Sequence, residues 1–408
     1  MSKRWSLALA SSLITLSLAA CGSPGEPGSP GAQGTQGGGQ GTAASGEPYK
    51  VGLVYSKSGP LATYGEQYRQ SLTVGIDYAT KGTGAVNGHK IEISEQDDAG
   101  DPAKAVAAAT DLIGEGNKII AGSTASGVAL QVAPIAADNK VLFISGPAAV
   151  DAITGANKYT FRSGRQTWQD VATAGTMLGD VSGKKITVLA QDSAFGKANI
   201  AAVTAVLGSK GAKVDSVAVP AAATDFTPFA TKIKEAAPDL LFVAWAGTNA
   251  TAMWTTLEQQ GVFDATKVVT GLDIKPTHAL FGAAGTKIDF LSHFFEGAAD
   301  NAAYQALDKG MKAQNASVDL FTNDGFVAGQ MIVHALEASG EDADKMVSAL
   351  EGWKFEGPKG QMEIRAEDHA MLQPMFTASL KKEGDKFVPV LGKTLDAATV
   401  APPVTPFK

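Results

Sequence analysis

Cysteine is nearly absent from this chain: there is one in 408 residues, Cys21, so no disulfide can form within it and its core must hold the fold. Dense basic clusters are absent as well. The 34 Lys and Arg stand against 41 Asp and Glu, a formal charge of -7, which argues against nucleic acid as a partner. Beyond the N-terminal segment there is no long apolar run, so the body is expected to be soluble. The five histidines, His89, His278, His293, His334 and His369, have no metal-ligand spacing. The body also lacks a thiol nucleophile, a phosphate-cradling P-loop and a Gly-x-Ser-x-Gly elbow. These absences predict no enzyme, no metal and no cofactor, and the lack of internal repeats argues against an adhesive or structural surface protein.

What is present begins at the N-terminus. Lys3 and Arg4 precede an apolar and small-residue run from Leu7 to Ala20, shorter than the ~20 residues a bilayer span needs. This is the pattern of a signal peptide, residues 1–21. It closes on Leu18-Ala19-Ala20-Cys21, which resembles the bacterial lipobox, with Cys21 the residue that would be acylated. A second acyl chain gives stable anchoring where one does not. Residues 22–47 start with Gly-led triplets, too few for a collagen triple helix, and read as a flexible tether. At coil dimensions it spans roughly 25–30 Å.

The rest is too long for a single core and suits two lobes. Strands at Lys50–Tyr55, Lys90–Glu95, Lys118–Ala121 and Val141–Ile144 alternate with helices at Leu61–Ala79, Asp101–Ile113 and Ala129–Asp138. Asp101-Pro102 supplies an N-cap and a first-turn proline. The alternation resumes with a helix Gln166–Leu178, then strands at Lys185–Ala190, Lys213–Val219 and Leu240–Ala244 among helices Gly196–Leu207, Phe226–Ala236 and Thr248–Gln260. This predicts two doubly wound α/β lobes with parallel sheets. Sequence order alone does not say which lobe the later helices, Asn301–Gln314 and Asn323–Ala338, join.

Ligands of open parallel sheets bind beyond the carboxyl ends of the strands. The loop Gly122-Ser123-Thr124-Ala125-Ser126-Gly127 lies there, with hydroxyls running into a helix N-terminus suited to an anion. Ser126 could instead serve only to cap its helix.

From about Tyr49 to about Val390 the chain resembles the leucine/isoleucine/valine-binding family of periplasmic and lipoprotein solute-binding proteins. The stretches Ser58-Gly59-Pro60-Leu61-Ala62-Thr63-Tyr64-Gly65 and Asp97-Asp98-Ala99-Gly100-Asp101-Pro102 carry the likeness. The resemblance implies the periplasmic binding protein type I fold: two Rossmann-like lobes, three hinge crossovers near Arg165, Ala299 and Pro374, and a ligand trapped between the lobes. It implies a first lobe of residues 48–166 and 299–373 and a second of 167–298 and 374–408. It places Ser126, with Thr124, at the ligand carboxylate and Asp273 at the α-ammonium. Tyr64, Phe195 and Phe321 fall at aromatic contact positions, and Ala246 and Gly247 at the remaining wall. Two departures stand out. The stretch containing Ala148 and Ala149 lacks the hydroxyl that helps hold the ammonium in amino-acid receptors, and Ala99 and Ala125 replace a disulfide found in some relatives.

The expected function is therefore capture of a small amino acid, branched-chain or aromatic, by a monomeric lipoprotein on the outer face of the cytoplasmic membrane or in the periplasm, for delivery to an ABC permease. Asp273 could equally be a solvated loop acid and the phenylalanines lobe core. A non-amino-acid organic acid or amide bound in the same fold, or a sensor lipoprotein, is the alternative reading.

Overall fold

The computed structural model describes residues 46–247 and 249–408. The signal peptide, Cys21 and nearly all of the tether lie outside these residues. The strand Gly46–Tyr55 shows why the lobes are layered: Val51, Leu53 and Tyr55 enter one apolar cluster, while Val54 enters the cluster on the other face. A strand covered on both sides carries apolar residues at consecutive positions, as this one does.

The first sheet has six strands in the order Ala85–Val86, His89–Asp97, Gly46–Tyr55, Ile119–Ala121, Leu142–Ser145 and Thr160–Arg162. All neighbours are parallel except the opening hairpin, which turns at Asn87 and Gly88, both at positive φ. Helices Pro102–Gly114 and Ser126–Asp138 cover one face; Ala62–Ala79, Thr322–Ser339 and Ala343–Leu350 cover the other. Asp101 caps its helix as predicted, accepting from the Ala103 and Lys104 amides.

The second sheet has seven strands, in the order Lys386–Leu395, Met375–Glu383, Ile288–Ser292, Lys267–Gly271, Leu240–Ala244, Lys185–Gln191 and Lys213–Val219. Five are parallel, and the last two strands of the chain add an antiparallel edge. A small antiparallel sheet of Lys354–Gly357, Gly360–Ile364 and Met371–Leu372 packs with the first lobe's helices. The fold is thus two α/β lobes, and the chain passes between them at 163–166, 293–301 and 373–374. The C-terminal residues return to the first lobe: Arg365 donates to the Pro402 and Pro403 carbonyls, and the Lys408 amide donates to Gly155.

Helices Ala62–Ala79 and Thr322–Ser339 cross at backbone contact. A Cβ on Gly325 would stand 2.1 Å from the Tyr68 carbonyl oxygen, and one on Gly75 2.1 Å from that of Phe326. Only glycine permits such an approach. The helix that follows the second lobe in sequence is by this contact part of the first.

Candidate functional site

The carboxyl ends of both sheets face one interlobe cavity of about 370 Å³. From the first lobe come Tyr64 at the start of its helix, Thr124 and Ser126 after Ile119–Ala121, and Ala149 after Leu142–Ser145. From the second come Phe195, Trp245, Ala246 and Asp273, each following a strand. Phe321 and Leu320 complete the apolar wall. Ala148 and Gly247 do not line the cavity. The Ala148 carbonyl instead accepts from Arg162, and the Gly247 amide donates to the Tyr64 hydroxyl at 3.3 Å.

Ser126 does not cap its helix. The N-cap is Ala125, without a side-chain bond, and Ser126 Oγ accepts from the Val150 amide at 3.3 Å. Thr124 Oγ1 likewise accepts from the Ser56 amide at 3.2 Å. A hydroxyl that has accepted from the backbone keeps its own proton to donate. Both residues can thus offer O–H groups to an anion in the cavity.

Asp273 lies on the left-handed backbone at φ 60, tolerated better by Asp than by most residues. Its Oδ1 accepts from the Tyr64 hydroxyl at 2.7 Å and from the Ile274 amide at 2.8 Å. Tyr64 belongs to the first lobe and Asp273 to the second, so this bond spans the cleft. Burial pushes the Asp273 carboxyl up, and the bonds from Tyr64 and Ile274 oppose that. Burial beside the Asp273 carboxylate also holds the Tyr64 phenol well above its ordinary value. The ring of Tyr64 lies 4.6 Å from that of Phe321.

Sequence reasoning gave three further polar lining residues no binding role. Arg165, Asp170 and His293 gather where the chain passes between the lobes. Arg165 Nε donates to Asp170 Oδ2 at 3.2 Å, and Nη1 donates to the Pro147 carbonyl at 2.8 Å. Burial raises the Asp170 carboxyl, with Arg165 opposing. Behind them His293 Nε2 stands 3.6 Å from Asp324 Oδ2, while the buried Lys359 ammonium donates to the His293 carbonyl. Desolvation, with Arg165 and Lys359 nearby, holds the His293 imidazole well below its usual range. Desolvation likewise lowers the Lys359 ammonium and raises the Asp324 carboxyl. Arg165 and Asp170 lie five residues apart, but His293, Asp324 and Lys359 join them from distant segments, so no local signal marks the group.

Among the described residues no cluster of His, Cys, Asp and Glu could hold a metal ion, and no helix is long and apolar enough to cross a membrane. Two α/β lobes thus meet at a cavity at their strand ends, where open parallel sheets bind small molecules. The chain matches the model of the periplasmic binding protein family over residues 48–385 and belongs to that family. A Leu/Ile/Val-binding protein homolog of Brucella melitensis is 26% identical over 304 residues, 73% of this chain and 81% of that protein. The crystal structure of an ABC-type branched-chain amino acid transporter from Rhodopseudomonas palustris is 32% identical, with a TM-score of 0.75, covering 88% of this chain and 100% of that one. An R. palustris solute-binding protein in complex with 4-hydroxybenzoate is 23% identical, with a TM-score of 0.79, covering 86% and 97%. The chain is accordingly an extracytoplasmic solute-binding protein of an ABC transporter, a binding protein and not an enzyme.

Proposed function

We propose that the chain captures a small amino acid with a branched-chain or aromatic side chain, and that Cys21 anchors it by acyl chains to the outer face of the membrane. The observation that carries the ligand reading is the pairing of Asp273 with the Thr124 and Ser126 hydroxyls inside one apolar-walled cavity. A buried zwitterion needs an acid for its ammonium and donors for its carboxylate, because unpaired buried charge costs several kcal/mol. Tyr64, Phe195, Trp245 and Phe321 supply the apolar surround.

The ligand first meets Thr124 and Ser126 on the first lobe. Closure then brings Asp273 and Phe195 against it, and the cross-cleft bond from Tyr64 to Asp273 forms with them. Contacts made only in the closed state supply the differential affinity that shifts the hinge equilibrium. An ABC permease that recognises the closed surfaces then distinguishes loaded from empty receptor.

A simple organic carboxylate is the second reading. It is favoured by the small residue at Ala149, where a hydroxyl partner for the ammonium is lacking. Calorimetric titration with leucine, phenylalanine and 4-hydroxybenzoate separates the two. Binding of either amino acid supports the first, and binding of 4-hydroxybenzoate alone replaces it with the second. For the anchor, Cys21→Ser should move the protein from the membrane fraction to the soluble fraction; unchanged fractionation would refute acylation at Cys21.

A further inference from the structure

The crossover end of the cavity has polar capacity that neither the ammonium nor the carboxylate of an amino acid uses. Arg165 is 8% exposed and lines the cavity. Its guanidinium is held by Asp170 at Nε, by the Pro147 carbonyl at Nη1, and by the Phe321 ring, 5.8 Å from Cζ. Among the described residues Nη2 donates to no group, yet it is not among the sealed, unpartnered atoms of the interior. A nitrogen that is neither bonded nor sealed, on a residue this buried, opens onto the cavity. Arg162 differs: its Nη1 donates to the Thr154 hydroxyl and its Nη2 to the Ala148 carbonyl.

The charge around this nitrogen selects what it can receive. Around it the cations Arg162, Arg165 and Lys359 are already matched in number by Asp151, Asp170 and Asp324, so a second anion would find no unmatched cation. A hydrocarbon would cover Nη2 and leave its N–H groups without an acceptor, the costly case for a buried donor. A neutral oxygen meets neither penalty. We propose that Arg165 Nη2 receives a neutral oxygen at the far end of the ligand, so that the ligand is an amino acid whose side chain ends in a hydroxyl or a carboxamide. This rests on the amino-acid reading of the same cavity but replaces a purely hydrocarbon side chain with one that carries an oxygen. The volume of about 370 Å³ falls at the small end of the ~300–1,000 Å³ range of ligand sites, enough for one such molecule.

The test is calorimetric titration of the full chain with two matched pairs, tyrosine against phenylalanine and glutamine against norleucine, with glutamate and 4-hydroxybenzoate added. In the unaltered protein a neutral-oxygen member should bind tighter than its partner by about tenfold or more, the strength of one hydrogen bond to a charged donor. Glutamate should bind more weakly than glutamine. Arg165→Met should erase the preference within the pair, read as the ratio of the two affinities in the same variant. Because that change bares Asp170, Arg165→Lys is measured alongside: it keeps the cation but removes the planar fork, and the preference should fall there too. Apolar members that bind as well as their partners overturn the proposal, as does a preference that survives both substitutions. If 4-hydroxybenzoate binds and no amino acid does, the amino-acid reading itself fails and takes this one with it.

Discussion

The two ends of the cleft use buried ionisable groups in opposite ways. At the cross-lobe latch no described side-chain atom is sealed away without a partner. Tyr64 donates to Asp273 and accepts from the Gly247 amide, and Asp319 accepts from Gln67 Nε2 and from the Lys275 and Leu320 amides. At the crossover end Asp170 Oδ1, His293 Nε2 and Asp324 Oδ2 are buried without a hydrogen-bond partner among the described residues. Satisfied buried groups fix a geometry, whereas unsatisfied ones cost free energy that a fold retains only with some return. The latch thus ties the two lobes together at Asp273, while the crossover end keeps unsatisfied polar atoms at and behind the cavity.

Substitutions can sharpen that contrast. The largest effect is expected for Asp273→Asn, which should weaken an amino-acid ligand on the order of a hundredfold or more while sparing a simple carboxylate, because a buried ammonium loses its anion. Titration with both ligand types reads this directly, and equal losses would remove Asp273 from the ammonium role. Next comes Gly325→Ala, which has no part in the cleft. Its methyl would stand 2.1 Å from the Tyr68 carbonyl, so the unfolding free energy in urea should fall by about 1–3 kcal/mol. A variant as stable as the parent would show that the two helices can part cheaply.

Tyr64→Phe removes the cross-cleft hydroxyl and keeps the ring on Phe321, so affinity should drop about tenfold with little change in stability. An unchanged affinity would mean that the latch does not favour the closed state. A separate effect concerns acidity. Burial raises the Asp319 carboxyl from 3.8 to about 6, so the folded chain holds this proton more tightly than the unfolded chain. The stability it contributes is full below the unfolded value and is lost as pH rises through about 6. Asp319→Asn lacks this term, so its stability relative to the parent should improve between pH 4 and pH 7 by about 2 kcal/mol. A difference that stays flat across that range would contradict the buried, proton-holding environment of Asp319.

The sequence reveals most of the first lobe and half of the cleft. Strands and helices from Lys50 onward stand close to their expected places because two-sided burial makes consecutive positions apolar. The strands Lys267–Gly271 and Ile288–Ser292 escaped notice, as did the terminal hairpin, where Pro389 sits on an exposed edge strand that needs no outer ladder. Tyr64, Thr124, Ser126, Ala149, Phe195, Ala246, Asp273 and Phe321 meet at the cavity; Ala148 and Gly247 turn aside to the backbone around them. Arg165 was legible only as a crossover. Its place in the cavity depends on Asp170 and on the Pro147 carbonyl, and no local pattern announces such a meeting.

The late helix of the first lobe also has a consequence for how the protein is made. Gln67 accepts from the Phe321 amide across 254 residues of chain, and Asn87 donates to the Leu336 carbonyl across 249. A ribosome releases the whole second lobe before the first can be sealed. Contacts this distant in sequence form slowly, since the loop between them must first be closed. For a chain exported through a membrane such delay is useful: the N-terminal half stays unsealed, and so threadable, until the rest has followed it.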